Sequence, residues 1–489
     1  TLVNPAVGLD GSNYSFLYPS VSLSVIASEL MDLSADSPLS FLKFKANYAE
    51  VGNGAPPYAF GTTFTPRPSF GGNSVFTTNR TVADPNLTNE LTQAFEFGVD
   101  ARLWNDRFRM DVTYYNMLSS DQVIQLPVAT SSGYDFKLTN GGSIRNTGVE
   151  VLLSAGIVRN PNFGWDVTLN LGHNRAVVES LPDIISSGRY SIIADVFPGD
   201  EGGADLEFVA EEGELFGQLY GLGFERHPET GEIIHENGLP LIGEDKVSAG
   251  SYQPDLRLGL LNSFRWNNFN FRFLIDGQIG GKIYSRSHAL YSTGGTITHD
   301  DDPNLPISTL DGRQHYAPQY DADGNLTGYE LLDAGGGVVG PGVQWEDLNG
   351  DGAFYTLDDD GNRIYQMDEI SQPNEQAVQP GGIGYVGYFY QYYGNGFNRD
   401  NIEAATYDAT WFKLREVSIG YNLPKSFVEK TGLQSARISL VGRNLLLVSD
   451  VPTIDPETFS IRNGLFVPGF ESTQIFTQRT FGFSLNLGI

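Results

Sequence analysis

One short segment of the chain has the residue spacing of a calcium-binding loop. The segment DLNGDGAFYTLD (residues 347–358) places Asp347, Asn349 and Asp351 at positions 1, 3 and 5 of such a loop. Ala353 would offer its backbone carbonyl at position 7, and Asp358 stands at position 12, where glutamate is usual. The alternative is an acidic Asn-Gly/Asp-Gly turn without a metal. We predict Ca²⁺ here as a device that orders the loop, and we expect no organic cofactor.

A second segment is rich in tyrosine. GYVGYFYQYYGNGF (residues 384–397) contains the residues Tyr385, Tyr388, Tyr390, Tyr392 and Tyr393. A tyrosine presents a flat apolar face and a polar tip, which suits contact with a sugar or a peptide. Packing of these rings against a rim of the fold or a partner protein is the alternative. We predict substrate contact by these five side chains.

The rest of the chain lacks the patterns of catalytic or nucleic-acid-binding sites. Six histidines are scattered, and no HExxH, nucleophile elbow or phosphate loop is present. The formal net charge of −29 opposes binding to polyanions, so we expect no nucleic-acid partner. We therefore expect a protein that binds or transports rather than an enzyme.

The elements that must position these segments are β-hairpins. In residues 95–103 and 108–114, large apolar residues alternate with charged or polar ones across a short turn at Asn105-Asp106. Residues 149–171 and 256–276 repeat the pattern, and the last segment, 481–489, alternates Phe, Leu and Ile with small residues. Charges this regular on one face favour an all-β transmembrane antiparallel β-barrel, whose outer face meets lipid and whose lumen is wet or plugged.

Long polar stretches separate the hairpins, above all residues 280–405, which we predict to be a long extracellular loop region with little apolar content. Such loops are uncommon in compact soluble domains but normal on the outer side of barrels. No apolar run of about 18 residues is present, so a transmembrane helix is not expected. Neighbouring strands of such a barrel run in opposite directions, and the last strand should end on the periplasmic side with the short turns. Alternating the direction backwards from the last strand predicts about thirteen strands, one of which is unrecognised and lies within 178–250.

One strand changes phase. Phe412 and Leu414 occupy even positions, whereas Val417 and Ile419 occupy odd ones, so a regular strand cannot point all of them outward. We predict a β-bulge, or a change from loop to barrel wall, near Arg415-Glu416.

Several segments together resemble a known family. In order, they are YSFLYPSVSLSV, LKFKANYAEVGN, RFRMDVTYYNM, NTGVEVLLSAGI, FKLREVSIGYNLP and GRNLLLVSDVPTIDPE. This series is similar to the barrel half of SusC/RagA-type TonB-dependent transporters. The resemblance implies that residues 1–489 are the C-terminal part of a 22-stranded barrel filled by an N-terminal plug. It also implies an outer-membrane location in a Gram-negative bacterium.

The resemblance further implies uptake of an oligosaccharide or a peptide, a SusD-like surface lipoprotein as partner, and energy supplied through TonB. No plug or TonB box is recognisable in the chain, so we expect a fragment that meets TonB through a part not included here. Two alternatives remain open from the residues alone. One is a passive channel or structural surface barrel without energy coupling, and the other is a soluble, secreted β-rich binding protein.

Overall fold

A single large antiparallel sheet dominates the computed structural model. The structure describes the residues 16–31, 37–55, 64–78, 80–197, 206–293, 314–320, 326–334, 340–359, 361–375, 391–394, 399–428, 430, 432–452, 454–462, 465–475 and 477–488. Eleven strands form the sheet in chain order, each paired with its sequence neighbour within the set. We call this sheet the wall. The predicted all-β fold with antiparallel wall strands is confirmed.

The wall strands are numbered β1 to β11. They are β1 Ser20–Ile26, β2 Leu39–Asn53, β3 Glu90–Leu103, β4 Phe108–Ser120, β5 Ser143–Arg159, β6 Phe163–Ser180, β7 Leu256–Trp266, β8 Phe269–Ile279, β9 Trp411–Asn422, β10 Ser435–Ser449 and β11 Thr480–Gly488. Strands of 11 to 18 residues, such as β3 to β8, are long enough to cross a hydrocarbon layer at a tilt.

Short and long connections alternate along the wall. The turns after β3, β5 and β7 span only residues 104–107, 160–162 and 267–268. In the first turn Trp104, Asn105 and Asp106 all have positive φ, a conformation that asparagine and aspartate tolerate better than most residues. The connections after β2, β4, β6, β8 and β10 are much longer. Short turns belong on the periplasmic side of an outer-membrane barrel and long loops outside.

This alternation corrects the predicted strand count. With eleven strands, β11 ends on the same side as all the short turns, so no additional strand is needed. The strands within 178–250 do exist, but they pair in two separate four-stranded sheets rather than in the wall. The miscount arose because alternation predicts strands without showing which sheet they join.

The two faces of the wall differ as the alternation predicts. On the outer face, large apolar side chains such as Phe97, Leu440 and Phe483 are exposed, and Trp104 and Trp266 stand exposed at the short turns. Interfacial aromatic residues of this kind form the girdles of outer-membrane barrels. The other face, the luminal face, carries most of the charged side chains of the wall strands.

The long connections fold into a layer that we call the roof. Its strands are Arg189–Ile193, Glu207–Glu211, Gln218–Phe224 and Ile242–Ser251 in one sheet, Ile234–Glu236, Leu239–Pro240, Val343–Gln344 and Gln372–Pro373 in a second, and Lys282–Ser285, Thr406–Asp408 and Phe470–Glu471 in a third. Strand Gln218–Phe224 is buried along its whole length, which shows that the roof has a core of its own.

The core of the roof gathers residues from distant parts of the chain. Its fully buried members include Leu206, Leu219, Tyr284, Ile402, Val467 and Phe470. The expectation that residues 280–405 have little apolar content to bury is therefore wrong for the described part of that region. Short apolar pieces from residues 282–293 and 399–408 pack against residues 206–224 and 467–470, so no single stretch looks apolar enough to form a core by itself.

The remaining elements are short. Two-stranded ribbons are Phe64–Phe70 with Asn73–Thr78, Gln314–Tyr320 with Leu326–Ala334, Tyr355–Leu357 with Arg363–Tyr365, and Ser460–Arg462 with Leu465–Val467; Thr81–Ala83, Val123–Pro127 and Phe136–Asn140 form a three-stranded sheet. The α-helices are Ala27–Leu30, Arg286–Thr293 and Lys425–Val428, and Thr130–Ser132 and Met367–Ile370 are 3₁₀ turns. In the part of the chain that is described, none of the helices combines the length and apolar character needed to span a membrane.

The assignment of faces can be tested with one pair of adjacent residues. Phe97 lies on the outer face of β3 and Glu96 on the luminal face. Phe97→Arg should destabilise the assembled barrel by about 2–4 kcal/mol, since it places a charge in lipid. The matched variant Glu96→Arg places the same arginine in the lumen instead and should assemble nearly as well as wild type. The measurement is urea titration of the folded fraction by heat-modifiable mobility in gels, and equal stability of the two variants would show that the faces are wrong.

Candidate functional site

Strand register brings three residues side by side on the luminal face. Glu150 of β5 pairs with Gly172 of β6, and Gly172 pairs with Arg257 of β7. Residues directly opposite each other in a sheet share a face. Both charged side chains are exposed to the lumen. Glycine between them leaves the space above β6 free of a side chain.

Three neighbouring cavities open around this row and form what we call the trough. Their volumes are about 600, 530 and 350 Å³. The first two share Glu150 and Gly172, and Arg257 lines all three. Other side chains that line the trough are Tyr115, Asn146, Asn174, Tyr252, Gln253, Asp111, Asn170, Asp276 and Trp411. A concave surface that combines polar groups, apolar groups and a few aromatic rings is suited to binding a ligand.

The roof is pinned to the wall directly above the trough. The Gln253 amide Nε2 donates to the carbonyl oxygens of Ala176 (2.9 Å) and Phe216 (2.7 Å), and its Oε1 accepts from Ala176 N at 2.8 Å. Gly213 N donates to the carbonyl of Val178 at 2.8 Å. Gln253 is buried, so these bonds are protected from competition by water. The roof thus covers the outer end of the trough.

At the other side of the trough, ion pairs tie the last long connection to the wall. The Lys413 ammonium of β9 contacts both Asp455 carboxylate oxygens (2.7 and 2.8 Å) and Glu457. Arg415 bridges Glu457 (2.5 Å) and Asp276 of β8 (2.7 Å). Lys413 is 2% exposed and Asp455 is also 2% exposed. We call these five side chains the anchor, because they fix residues 455–457 to β8 and β9.

A β-bulge makes the anchor possible. Leu414 pairs with Ile275 and Glu416 with Leu274, so Arg415 has no partner in the ladder toward β8. The pairing toward β10 shifts at the same place. The bulge predicted near Arg415-Glu416 is therefore confirmed. Because the extra residue reverses the alternation, both cationic side chains can point to the lumen while Leu414 and the later Ile419 remain on the outer face.

The cations of the anchor keep its carboxyl groups ionised. Burial raises the pKa of Asp455, but hydrogen bonds from Lys413 and Thr477 outweigh burial, and its pKa lies below the usual value. Burial likewise raises the pKa of Glu457, and Arg415 and Lys413 lower it to below the usual value overall. The indole ring of Trp411 lies 5.0 Å from the Lys413 ammonium, which adds a cation–π contact. The anchor is thus a charged, structural cluster at neutral pH.

The predicted calcium loop is closed by hydrogen bonds of its own. The Asp347 carboxylate accepts from the backbone N–H groups of Gly350 (2.6 Å) and Gly352 (3.1 Å). The Gln366 amide Nε2 donates to Asp351 Oδ2 (2.9 Å) and to the carbonyl of Ala353 (2.7 Å), a position between two of the expected calcium ligands.

The remaining expected ligands are also engaged. The Asn349 amide donates to Asp351 at 3.1 Å, and Asp358 accepts from Asn362 N at 2.7 Å. Within the described ranges, no three acidic, histidine or cysteine side chains are gathered as a metal site would require. Calcium at residues 347–358 stays a prediction, and it requires displacement of the Gln366 amide and movement of Asp358.

The tyrosine segment divides into two parts. Tyr385, Tyr388 and Tyr390 lie outside the described residues. Tyr392 (4% exposed) and Tyr393 (0%) lie in the core of the roof, where the ring of Tyr392 packs at a tilt against that of Phe224, with 5.0 Å between the ring centroids. For these two rings the structure supports packing, the alternative to substrate contact. Their neighbours in sequence gave no sign of this, because the core they join is built mainly from residues 206–224 and 402–405.

Sequence reasoning placed Glu150 and Arg257 on the luminal face of the wall but not in a site. What it missed is their adjacency across Gly172, which depends on the pairing of three strands separated by long connections. The available signal was the glycine itself, since a glycine in a strand interior often marks a place where something else approaches. The anchor was missed for the same reason. Its cations lie in the segment FKLREVSIGYNLP and two of its carboxylates in GRNLLLVSDVPTIDPE, both of which carried the resemblance.

Comparison with known proteins identifies the relatives of this architecture. The family profile described as TonB dependent receptor-like, beta-barrel matches residues 3–337. TonB-dependent receptor P3 of Formosa agariphila is 23% identical over 91% of this chain and 38% of its own length, and P26 of the same organism is 25% identical over 98% and 43%. TonB-dependent receptor SusC of Bacteroides thetaiotaomicron is 22% identical over 62% of this chain and 32% of its own length.

Solved structures agree on the fold. The RagAB peptide transporter superposes over 99% of this chain and 44% of its own with a TM-score of 0.62 at 16% identity, and its closed-closed state gives 0.63 at 17%. The chain spans about two fifths of the length of the first two curated relatives. The resemblance drawn from the sequence is confirmed.

The anchor yields a stability prediction. Lys413→Met should destabilise the protein by about 3–5 kcal/mol, because it leaves the buried Asp455 carboxylate without a cation. The matched double variant Lys413→Met/Asp455→Asn removes that charge and should recover part of the loss. Thermal unfolding of the full-length protein in detergent, followed by near-ultraviolet circular dichroism, measures both. A double variant less stable than the single one would contradict the charge argument.

The lowered pKa values of Asp455 and Glu457 predict how the stability of the folded protein changes with pH. Their contribution to stability is fully present above the unfolded pKa values, about 4, and is lost as pH falls through the lower folded pKa values. We expect little change in melting temperature between pH 7 and 5 and a fall below about pH 4. The fall should be smaller in Lys413→Met, since the cation that lowers both pKa values is gone. An equal acid response in both proteins would exclude these groups as its source.

The calcium prediction can be tested by the fluorescence of Trp345. Its indole N–H donates to Glu369 at 3.1 Å, and the same carboxylate accepts from Leu348 N at 3.0 Å, so ordering of the loop should reach the indole. Millimolar Ca²⁺ should change Trp345 fluorescence in wild type, with an affinity in the range of extracellular calcium modules. Asp347→Ala/Asp351→Ala should abolish the response, and Mg²⁺ is the control ion. Identical wild-type spectra in Ca²⁺ and in chelator would leave the acidic-turn alternative.

Proposed function

Because this chain belongs to the TonB-dependent receptor-like β-barrel family, we propose that it forms the barrel part of a nutrient importer energised through TonB. The chain lies in the outer membrane of a Gram-negative bacterium. The proposed cargo is an oligosaccharide or a peptide, which would bind in the trough on its way through the barrel. A SusD-like surface lipoprotein is the proposed partner on the outer side.

The observation that carries this proposal is the trough beneath a pinned roof. A passive channel needs a clear, continuous water path, whereas here the roof is hydrogen-bonded to the wall at Ala176 and Val178 above the cavities. Binding pockets under a covered entrance favour capture followed by a driven conformational step. The lining, which includes Tyr115, Tyr252 and the amide side chains of Asn146 and Asn174, suits a cargo with both polar groups and flat apolar faces.

The relatives support the partner and the energy source. SusC is named as a TonB-dependent receptor, and RagAB is described as a peptide importer with open-open and closed-closed states. A barrel of this class with a lid on its outer side would use the roof as the docking surface. Coupling to TonB would run through the part of the full protein outside the matched two fifths.

Uptake by the full-length protein tests the proposal. The native bacterium is offered labelled neutral oligosaccharides and short peptides, with the transporter gene intact, deleted or combined with depletion of TonB. We expect uptake of one ligand class to require both the gene and TonB. In planar bilayers the purified full-length protein should show no steady open conductance. Uptake that persists without TonB, together with a stable open conductance, would instead establish a passive channel.

A further inference from the structure

Two basic side chains of the wall point outward, away from the lumen. Tyr114 of β4, an exposed ring of the outer face, pairs with Val149 of β5. Because side chains alternate between the faces, Thr147 and Arg145 share the outer face with Val149, and so does Arg175 of β6, which pairs with Thr147. Among the described residues of the wall strands, Arg145 and Arg175 are the basic side chains that the register places on this face.

These two arginines lie beside further polar side chains. Asn116, Thr147 and Arg175 stand side by side on three neighbouring strands, and Arg145 lies two residues from Thr147 on β5. The Arg145 guanidinium is held in place, since its Nη1 donates to Asn116 Oδ1 at 2.9 Å and its Nη2 to Glu179 Oε2 at 3.2 Å. In the part of the chain that is described, Arg175 has no ion pair or side-chain hydrogen bond. We call these five side chains the headgroup patch.

The headgroup patch stands where the hydrocarbon layer ends. Trp165 lies near the periplasmic end of β6, and Arg175 follows ten residues later on the same strand. Ten residues rise about 33 Å along a strand, which is about 25 Å across the membrane at a tilt of about 40°. The apolar band of outer-membrane barrels is about 25 Å tall. The outward side chains between the two residues, Val167, Leu169 and Leu171, are apolar, so Arg175 lies at the level of the lipid headgroups of the outer leaflet.

Strands from the rest of the full-length protein cannot cover the headgroup patch. Each of β4, β5 and β6 is paired on both sides within the wall, and further strands can be added only beside β1 and β11. The Arg145 side chain is 36% exposed, and Arg175 is exposed as well. The outer face of β4 to β6 therefore stays turned toward the membrane in the complete barrel.

The level and the charge of the headgroup patch select a phosphorylated lipid. A phosphate group can accept two parallel hydrogen bonds from Arg175 and further ones from the Thr147 hydroxyl and the Asn116 amide. Charges attract more strongly beside hydrocarbon than in bulk water. The whole chain carries 59 acidic and 30 basic residues, so its overall charge repels anionic lipids. Two arginines together on the lipid-facing side of so acidic a protein favour attraction of an anion at this place.

We propose that the headgroup patch binds the phosphate of lipopolysaccharide, the phosphorylated and acylated disaccharide of the outer leaflet, with Arg175 as the principal cation. Arg145 is the second cation, already positioned by Asn116 and Glu179. The acyl chains of the lipid lie along the apolar outer face nearer the bilayer centre. This site is separate from the trough and does not depend on the identity of the cargo.

Lipid binding to the full-length protein in detergent tests the proposal. Delipidated protein is titrated with monophosphoryl lipid A or with dephosphorylated lipid A of the same acylation, and the complexes are quantified by native mass spectrometry. Wild type should bind the phosphorylated lipid about tenfold more tightly, the scale of one charged hydrogen bond. Arg175→Gln should lose this preference. Arg175→Lys, which keeps the charge but not the paired hydrogen bonds, should keep part of it.

A luminal arginine supplies the matched control. Arg272 lies on the luminal face of β8, where it pairs with Ser263. Arg272→Gln removes the same charge from the wall and should leave the affinities for both lipids unchanged. Arg145→Gln should reduce the preference for phosphate by less than Arg175→Gln does, because Glu179 already compensates part of the Arg145 charge. Heat-modifiable mobility in gels confirms that each variant is assembled.

Each outcome decides the proposal. If wild type binds the two lipids equally, the headgroup patch does not recognise phosphate and the proposal is wrong. A preference that survives in Arg145→Gln/Arg175→Gln places the phosphate site elsewhere and refutes it too. If inorganic phosphate binds with the same dependence on Arg175 while lipid A does not bind, the ligand is a soluble anion rather than a lipid. None of these results bears on TonB-dependent uptake, so the importer function is judged separately.

Discussion

Lipid offers no hydrogen-bond partners to a polypeptide backbone, and the whole architecture depends on this constraint. Every wall strand between the edges β1 and β11 is therefore paired along both sides, because an unpaired group in hydrocarbon costs several kcal/mol. Irregular backbone is displaced to the connections, where water or protein can satisfy it. One irregularity within the wall, away from the strand ends, is the bulge at Arg415, whose side chain turns to the lumen and binds Asp276 and Glu457.

The same constraint concentrates chemistry on one face. Side chains that face the hydrocarbon must be apolar, so most of the charged side chains on the wall strands are directed to the lumen. There some charges are paired, as Lys45 and Asp111 are. Others, among them Glu150, Asp166, Arg257 and Arg272, make no ion pair within the described residues and face the lumen.

The wall could be predicted from the sequence because alternation is a local signal. Phe97 beside Glu96 fixes a face, and the phase change between Leu414 and Val417 located the bulge. The roof could not, because its core joins Leu219, Tyr284 and Phe470 from three distant connections. Tyr393 illustrates the limit: in sequence it resembles a ligand-binding ring, and only the tertiary fold makes it a fully buried core residue.

The trough and the anchor are not independent, because they share atoms. Asp276 lines two of the three cavities and also receives the Arg415 guanidinium, while Arg257 and Glu457 line the same 350 Å³ cavity. A ligand in the trough excludes water from these ion pairs, and charges attract more strongly when water is excluded. By thermodynamic linkage, if a bound ligand stabilises the ion pairs of the anchor, the intact anchor increases the affinity for that ligand by the same free energy. The connection held by Asp455 and Glu457 is one of the long ones, so this part of the trough is lined by the wall and by an outer connection together.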